Sequence, residues 1–149
     1  GNTITLFEVV IEYHQLVVHS SYIVNASRGE GQCLPLMEFM SSGVPAIAPL
    51  NTAMLDYIDP ANAFIVKSSP ELAYWPHDPR QVYRTYWHRI DWQTLYEAFV
   101  ASEAVFNKSP RVYRDMCAAA AASLQAYCSM AVARSRLQEF FARIRDRES

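Results

Sequence analysis

Cysteine, glycine and a charge of one sign are all in short supply in this chain. Three widely spaced cysteines in 149 residues do not make the paired framework of a small secreted scaffold, and a reducing cytoplasm is the compartment that fits. Of the four histidines, His77 has no second histidine or cysteine at zinc-ligand spacing. His77 has only Asp78 beside it, so no metal site is expected. A formal net charge of −2 gives no electrostatic reason to expect nucleic acid. No continuous apolar run reaches the about 18 residues needed to span a bilayer. The first residues lack the basic-then-apolar order of a signal peptide. What is present is 51% hydrophobic and 19% charged, ordinary for a soluble globular protein and long enough for one core.

Periodicity orders the chain. Ile4–Phe7 reads as a strand, and Val9–Ser20 as a helix with Val10, Tyr13, Leu16 and Val17 at helical spacing. Tyr22–Asn25 is a short buried strand. Leu34–Ser42 is a helix with Pro35 in its first turn, where the missing N–H costs nothing, and Gly43 is its left-handed stop. Pro45–Ala48 is a strand, Ala53–Ile58 a short helix and Phe64–Val66 a strand. That alternation predicts a parallel sheet. Ser68–Asp91, dense in proline, arginine and aromatics, reads as a long loop with one short helix, pinned to the domain by Trp75, Trp87 and Trp92. Trp92–Asn107 is a helix, and Pro110 starts another. No glycine or proline interrupts 111–149, which unbroken would be roughly 60 Å long; a bend is expected.

The most informative stretch runs from Glu30 to Pro45. Two carboxylates stand eight positions apart, one in a glycine-containing loop and one in the opening turns of a helix. Loop N–H groups and a helix N-terminus attract phosphates, and carboxylates accept hydrogen bonds from hydroxyls. The order suits a polyhydroxylated ligand that carries phosphate.

These residues resemble the donor-site motif of the family 4 retaining glycosyltransferases. That pattern reads Glu-Gly-Phe-Gly-Leu-Pro followed by Glu-Ala-Met-Ala-x-Gly-x-Pro-Val, matched here at Glu30, Gly31, Leu34, Pro35, Glu38, Met40, Gly43 and Pro45. A weaker likeness extends over Ile4–Val66, less than half the chain. The resemblance implies a GT-B enzyme and the following expectations. The fold class is α/β, a partial Rossmann-like parallel sheet of about four strands flanked by helices, with a long helical carboxyl-terminal region. The chain is a single domain, 1–149, divided into a partial sheet with the donor motif (1–67), a long loop (68–91) and a helical tail (92–149). The donor is a nucleotide-diphospho-sugar, and no other cofactor or metal is needed. Glu30 is the catalytic-site acid facing the transferred sugar. Glu38 accepts the ribose hydroxyls, and Gly31, Gln32, Cys33, Leu34 and Thr52 complete the donor site. The family has an aromatic at position 32 and glycine at 33, so Gln32 and Cys33 depart from it. The acceptor, by family likeness, belongs to cell-surface polysaccharide assembly.

The family's Gly-Arg and Lys diphosphate-binding segment has no counterpart here. The resemblance therefore implies a fragment that lacks an amino-terminal domain and upstream strands, inactive alone. Its Tyr22–Asn25 edge would be open and would be closed by rearrangement of the first segment or by a second copy. The alternative is a glycosyltransferase-like scaffold without catalysis, which the Gln32 and Cys33 changes motivate. A sugar-nucleotide epimerase fits the Glu30/Glu38 spacing less well.

Each remaining cluster has a plain reading. Glu38 can offset its helix dipole, Glu30 can be a solvated loop acid, and Thr52 can cap the next helix. Arg80, Arg84, His88 and Arg89, interleaved with Trp75, Tyr83, Tyr86 and Trp87, can hold phosphate or stack on sugar, though a solvated insertion is the simpler account. His14 and His19 sit on a helix as ordinary surface residues, and Cys117 and Cys128 as core packing. Leu137, Phe140, Phe141 and Ile144 form one stripe beside Arg134, Arg136, Arg143, Arg145 and Arg147. Such a helix docks on its own protein more often than on an anionic membrane, which leaves peripheral attachment at the inner membrane face as the minority expectation.

Overall fold

The computed structural model describes residues 6–148. Helix α1 (Leu6–Val18) leads to strand β1 (Ile23–Val24), helix α2 (Leu34–Ser41) and strand β2 (Ala46–Pro49). A 3₁₀ turn over Thr52–Asp56 precedes strand β3 (Ala63–Val66). Strands β4 (Ser68–Ala73) and β5 (Thr85–Ile90) follow, then helices α3 (Trp92–Lys108), α4 (Pro110–Cys128) and α5 (Met130–Glu148).

The expected parallel α/β sheet is present, in the order β1-β2-β3. Ile23 pairs with Ala46, and Ala46 in turn with Ala63. Every residue of the central strand β2 is buried, and side-chain alternation divides it between two layers. Ala46 and Ala48 face one cluster with Leu36, Met37 and Met40 of α2 and Ala120 and Leu124 of α4. Ile47 faces another with Val66, Ile90 and, from α3, Leu95 and Ala98. The sheet therefore lies between α2 and α4 on one side and α3 on the other. Small residues set the α2–α4 spacing: Ala120 is fully buried, and a Cβ at Gly43 would lie 3.6 Å from the Cys117 carbonyl oxygen. Gly43 has φ +83° and donates to the Met40 carbonyl, the left-handed stop expected of it.

Several expectations need correction. The strand placed at Ile4–Phe7 lies partly outside the described residues; Leu6 and Phe7 open α1. Apolar residues continue from them at helical spacing, and among the described residues the parallel sheet has three strands, with β1 at an edge and Val24 exposed. The helix expected at Ala53–Ile58 is the shorter 3₁₀ turn, in which the Met54 and Tyr57 N–H groups return three residues back, to the Asn51 and Met54 carbonyls.

The largest correction concerns 68–91, which is an antiparallel hairpin and not a long loop: Ser68 pairs with Ile90 and Ala73 with Thr85. Thr85–Ile90 is rich in the β-branched and aromatic residues that favour strands. Pro70 is tolerated because β4 has a free edge and pairs only with β5.

The helical tail breaks at Ser129, whose backbone is extended. By length and composition alone, Pro110–Arg145 taken across that break has the mean hydropathy of a bilayer span. The alanine run supplies that hydropathy, while Met116, Ala120 and Leu124 bury inside the domain. Cys128, expected in the core, is exposed, and Cys117 is half-buried.

Candidate functional site

All three parallel strands end on the same side, and that is where an open α/β sheet offers its ligand crevice. Three segments emerge there: the loop Asn25–Cys33 from β1, the turn Leu50–Thr52 from β2, and the β4–β5 hairpin after β3.

Local hydrogen bonds shape the first loop. The Asn25 carboxamide oxygen accepts the Ser27 N–H at 2.6 Å, and its Nδ2 meets the Cys33 sulfur at 2.6 Å. The Glu30 N–H donates to Thr52 Oγ1 at 3.0 Å, and the Thr52 hydroxyl donates to Asn51 Oδ1 at 3.2 Å. Asn51 is buried and reaches Ser68 Oγ at 3.3 Å. The Tyr57 hydroxyl donates to the Gln32 carbonyl at 3.0 Å. Two non-glycine residues in this assembly adopt left-handed backbone, Cys33 at φ 53° and Thr52 at φ 48°. Strain of that kind is retained only where surrounding contacts enforce it. Burial pushes the Cys33 thiol above its ordinary value, so it is a packed filler and not a ready thiolate.

Glu30, half-buried, lines a groove of about 520 Å³ with Asn25, Cys33, Leu34, Pro35 and Leu36. Helix α2 begins at this groove without a side-chain cap, so its amino-terminal dipole end opens there. Gly31 stands in open space, where a Cβ would meet nothing within 4 Å. Gln32 and Leu34 are exposed at the rim.

Glu38 does not line the groove. It lies one helical turn beyond Leu34 on the same face of α2, exposed, with its carboxylate accepting the Tyr13 hydroxyl at 2.5 Å. That bond raises the Tyr13 pKa, and the Tyr13 ring meets Phe39 edge-on. The structure thus brings Glu30, Cys33, Leu34 and Thr52 together, and gives Glu38 to an α1–α2 contact.

Two residues that the sequence did not single out meet at the hairpin, Arg28 of the first loop and Glu71 of β4. The His88 N–H donates to the Arg28 carbonyl at 2.7 Å. The Arg28 guanidinium lies 3.9 Å from the Trp87 ring centroid and 2.5 Å from the Glu71 carboxylate. Arg28 is two positions before Glu30, and a lone cation in a glycine-flanked loop was the available signal. Glu71 had none, because its proximity depends on strand pairing across the hairpin.

The arginine cluster foreseen in 80–89 divides. Arg80 and Arg84 line a groove of about 540 Å³ at the hairpin tip with Trp75 and His77. Arg80 is held by Asp78 at 2.9 Å, a bond that keeps the Asp78 carboxyl below its usual range. Arg89 lines a separate groove with Lys67 and Trp92. Consecutive strand residues face opposite ways, so His88 and Arg89 cannot act as one patch.

Comparison with known proteins gives no match, whether to a family model, a curated protein or a solved structure.

Proposed function

We propose that this chain is the donor-binding domain of a retaining glycosyltransferase, taking a nucleotide-diphospho-sugar at the carboxyl end of the parallel sheet. The observation that carries the reading is the placement of the Glu30–Pro45 motif. Its glycine-containing loop and the uncapped start of α2 form one groove, lined by Glu30. In this reading the diphosphate takes the N-terminus of α2 and the loop N–H groups, and Glu30 accepts hydroxyls of the sugar. Catalysis in such a site is electrostatic: fixed N–H dipoles and cations stabilise the departing diphosphate as its bond to the anomeric carbon breaks. Glu38 accepts the ribose hydroxyls beside the Tyr13 hydroxyl; a carboxylate has acceptor capacity for both. Because no segment of the 149 residues resembles the Gly-Arg and Lys phosphate clamp, the chain alone is expected to bind without turning over.

The test is calorimetric titration of the chain with UDP and GDP, followed by Glu30→Gln and Glu38→Ala. Saturable binding of one nucleotide, weakened about 10-fold by Glu38→Ala, is the expected result. A second reading, a glycosyltransferase-like scaffold without catalysis, draws on the Tyr13 hydroxyl already seated at Glu38. Absence of binding to either nucleotide, before and after Tyr13→Phe, would decide for that second reading.

A further inference from the structure

Arg28 is the one basic residue of the Asn25–Cys33 loop, and three separate contacts fix it. Its carbonyl is held by the His88 N–H, its guanidinium plane is stacked on Trp87, and Glu71 neutralises it. Neither charged side chain of the pair is sequestered: Arg28 is 44% exposed and Glu71 45%. A solvated ion pair of this kind contributes little to stability and exchanges readily. Stacking leaves a guanidinium edge for in-plane donors, which match the oxygens of a phosphate or carboxylate in pairs. Along the chain Arg28 lies within about 7 Å, Cα to Cα, of Glu30; its guanidinium lies against the hairpin, beside the groove that Glu30 lines and not in its wall.

We propose that Arg28 is an anion-binding residue of the donor site, kept in place by the hairpin, with Glu71 as its resting counter-ion that an oxyanion of the substrate displaces. The proposal rests on the donor-site reading above and adds to it a cation that the family motif does not contain. Two oxyanions of a nucleotide sugar can take the place of Glu71: an oxygen of the diphosphate, or a carboxylate on the sugar.

The two partners should act with opposite signs. Arg28→Met keeps the stem on Trp87 and removes the charge, and is expected to weaken binding about 10- to 100-fold. Arg28→Lys keeps the charge and most of the affinity. Glu71→Gln removes the competing anion and is expected to strengthen binding about 2- to 5-fold. Calorimetry with UDP, UDP-glucose and UDP-glucuronate, and with the GDP series alongside, separates the sources. A loss in Arg28→Met already seen with the bare nucleotide assigns the diphosphate. A loss confined to UDP-glucuronate assigns a sugar carboxylate. Circular dichroism of each variant establishes that it is folded. If folded Arg28→Met binds every ligand as the parent does, or if Arg28→Met and Glu71→Gln weaken binding alike as a purely structural pin would, the proposal is overturned while the donor-site reading stands. If the parent chain binds no nucleotide, both fall together.

Discussion

Thr52 joins the two loops of the candidate site through one hydroxyl, which accepts from the Glu30 N–H and donates to Asn51. Its backbone is left-handed, a conformation that costs an L-residue about 1 kcal/mol. Thr52→Ala keeps that cost and orphans the Glu30 N–H, so a loss of about 1 kcal/mol in urea unfolding is expected. Thr52→Ser should leave stability near the parent. Two tyrosines give a second prediction at this scale. Burial raises the Tyr57 hydroxyl well above its ordinary value, and raises Tyr113 to about 12. Both groups hold their protons more tightly folded than unfolded. Their contribution is complete below the unfolded pKa of about 10 and is lost as pH rises through the folded values. Urea midpoints should therefore hold between pH 8 and 9 and fall above about pH 10, and the double variant Tyr57→Phe/Tyr113→Phe should flatten that fall. An unchanged alkaline slope in the double variant would show that other groups cause it.

Among the elements, the contact between α2 and α4 depends on small side chains. Ala120 sits fully buried among Leu36, Met40 and Ala46. Ala120→Leu has no space to enter and should destabilise by about 1–3 kcal/mol, read from the denaturant midpoint. A helix with a clear start and stop was legible in the sequence, since Pro35 and Gly43 bracket α2; the Asp91 cap that holds the Thr94 N–H at the start of α3 came from the structure. The hairpin was not legible, because neither Ser68–Ala73 nor Thr85–Ile90 alternates apolar with polar residues and only Ala73 and Ile90 are buried at their ends. Its order comes from the partner strand, the Arg28 contacts and the Asp91 N–H bond to the Lys67 carbonyl at 2.9 Å. None of these is local in sequence.

Among the described residues, apolar surface remains uncovered on several elements, including α1, β1 and α5. Val10 and Leu16 of α1, Val24 of β1, and Leu137, Phe140 and Phe141 of α5 are all exposed. An open strand edge and apolar helix faces of this extent are expected to find partners, so the chain should self-associate as concentration rises in sedimentation experiments. Val24→Lys, which charges the open edge, should shift it toward monomer. If α5 variants such as Phe141→Glu shift it instead, the helix face is the contact.

The chain's own order of residues determined the alternation of strand and helix, the proline start and glycine stop of α2, and the Glu30–Pro45 loop-and-helix unit, because these follow from spacing, backbone preference and hydrogen bonds within a few residues. Which side chains share a cleft was decided only by the tertiary structure. Glu30 and Glu38 look like a pair in the sequence, yet one lines the groove and the other meets α1. Arg28, Glu71 and Trp87 lie far apart in the sequence and meet. The reason is that strand pairing and helix packing, not separation along the chain, set distances between side chains on different elements.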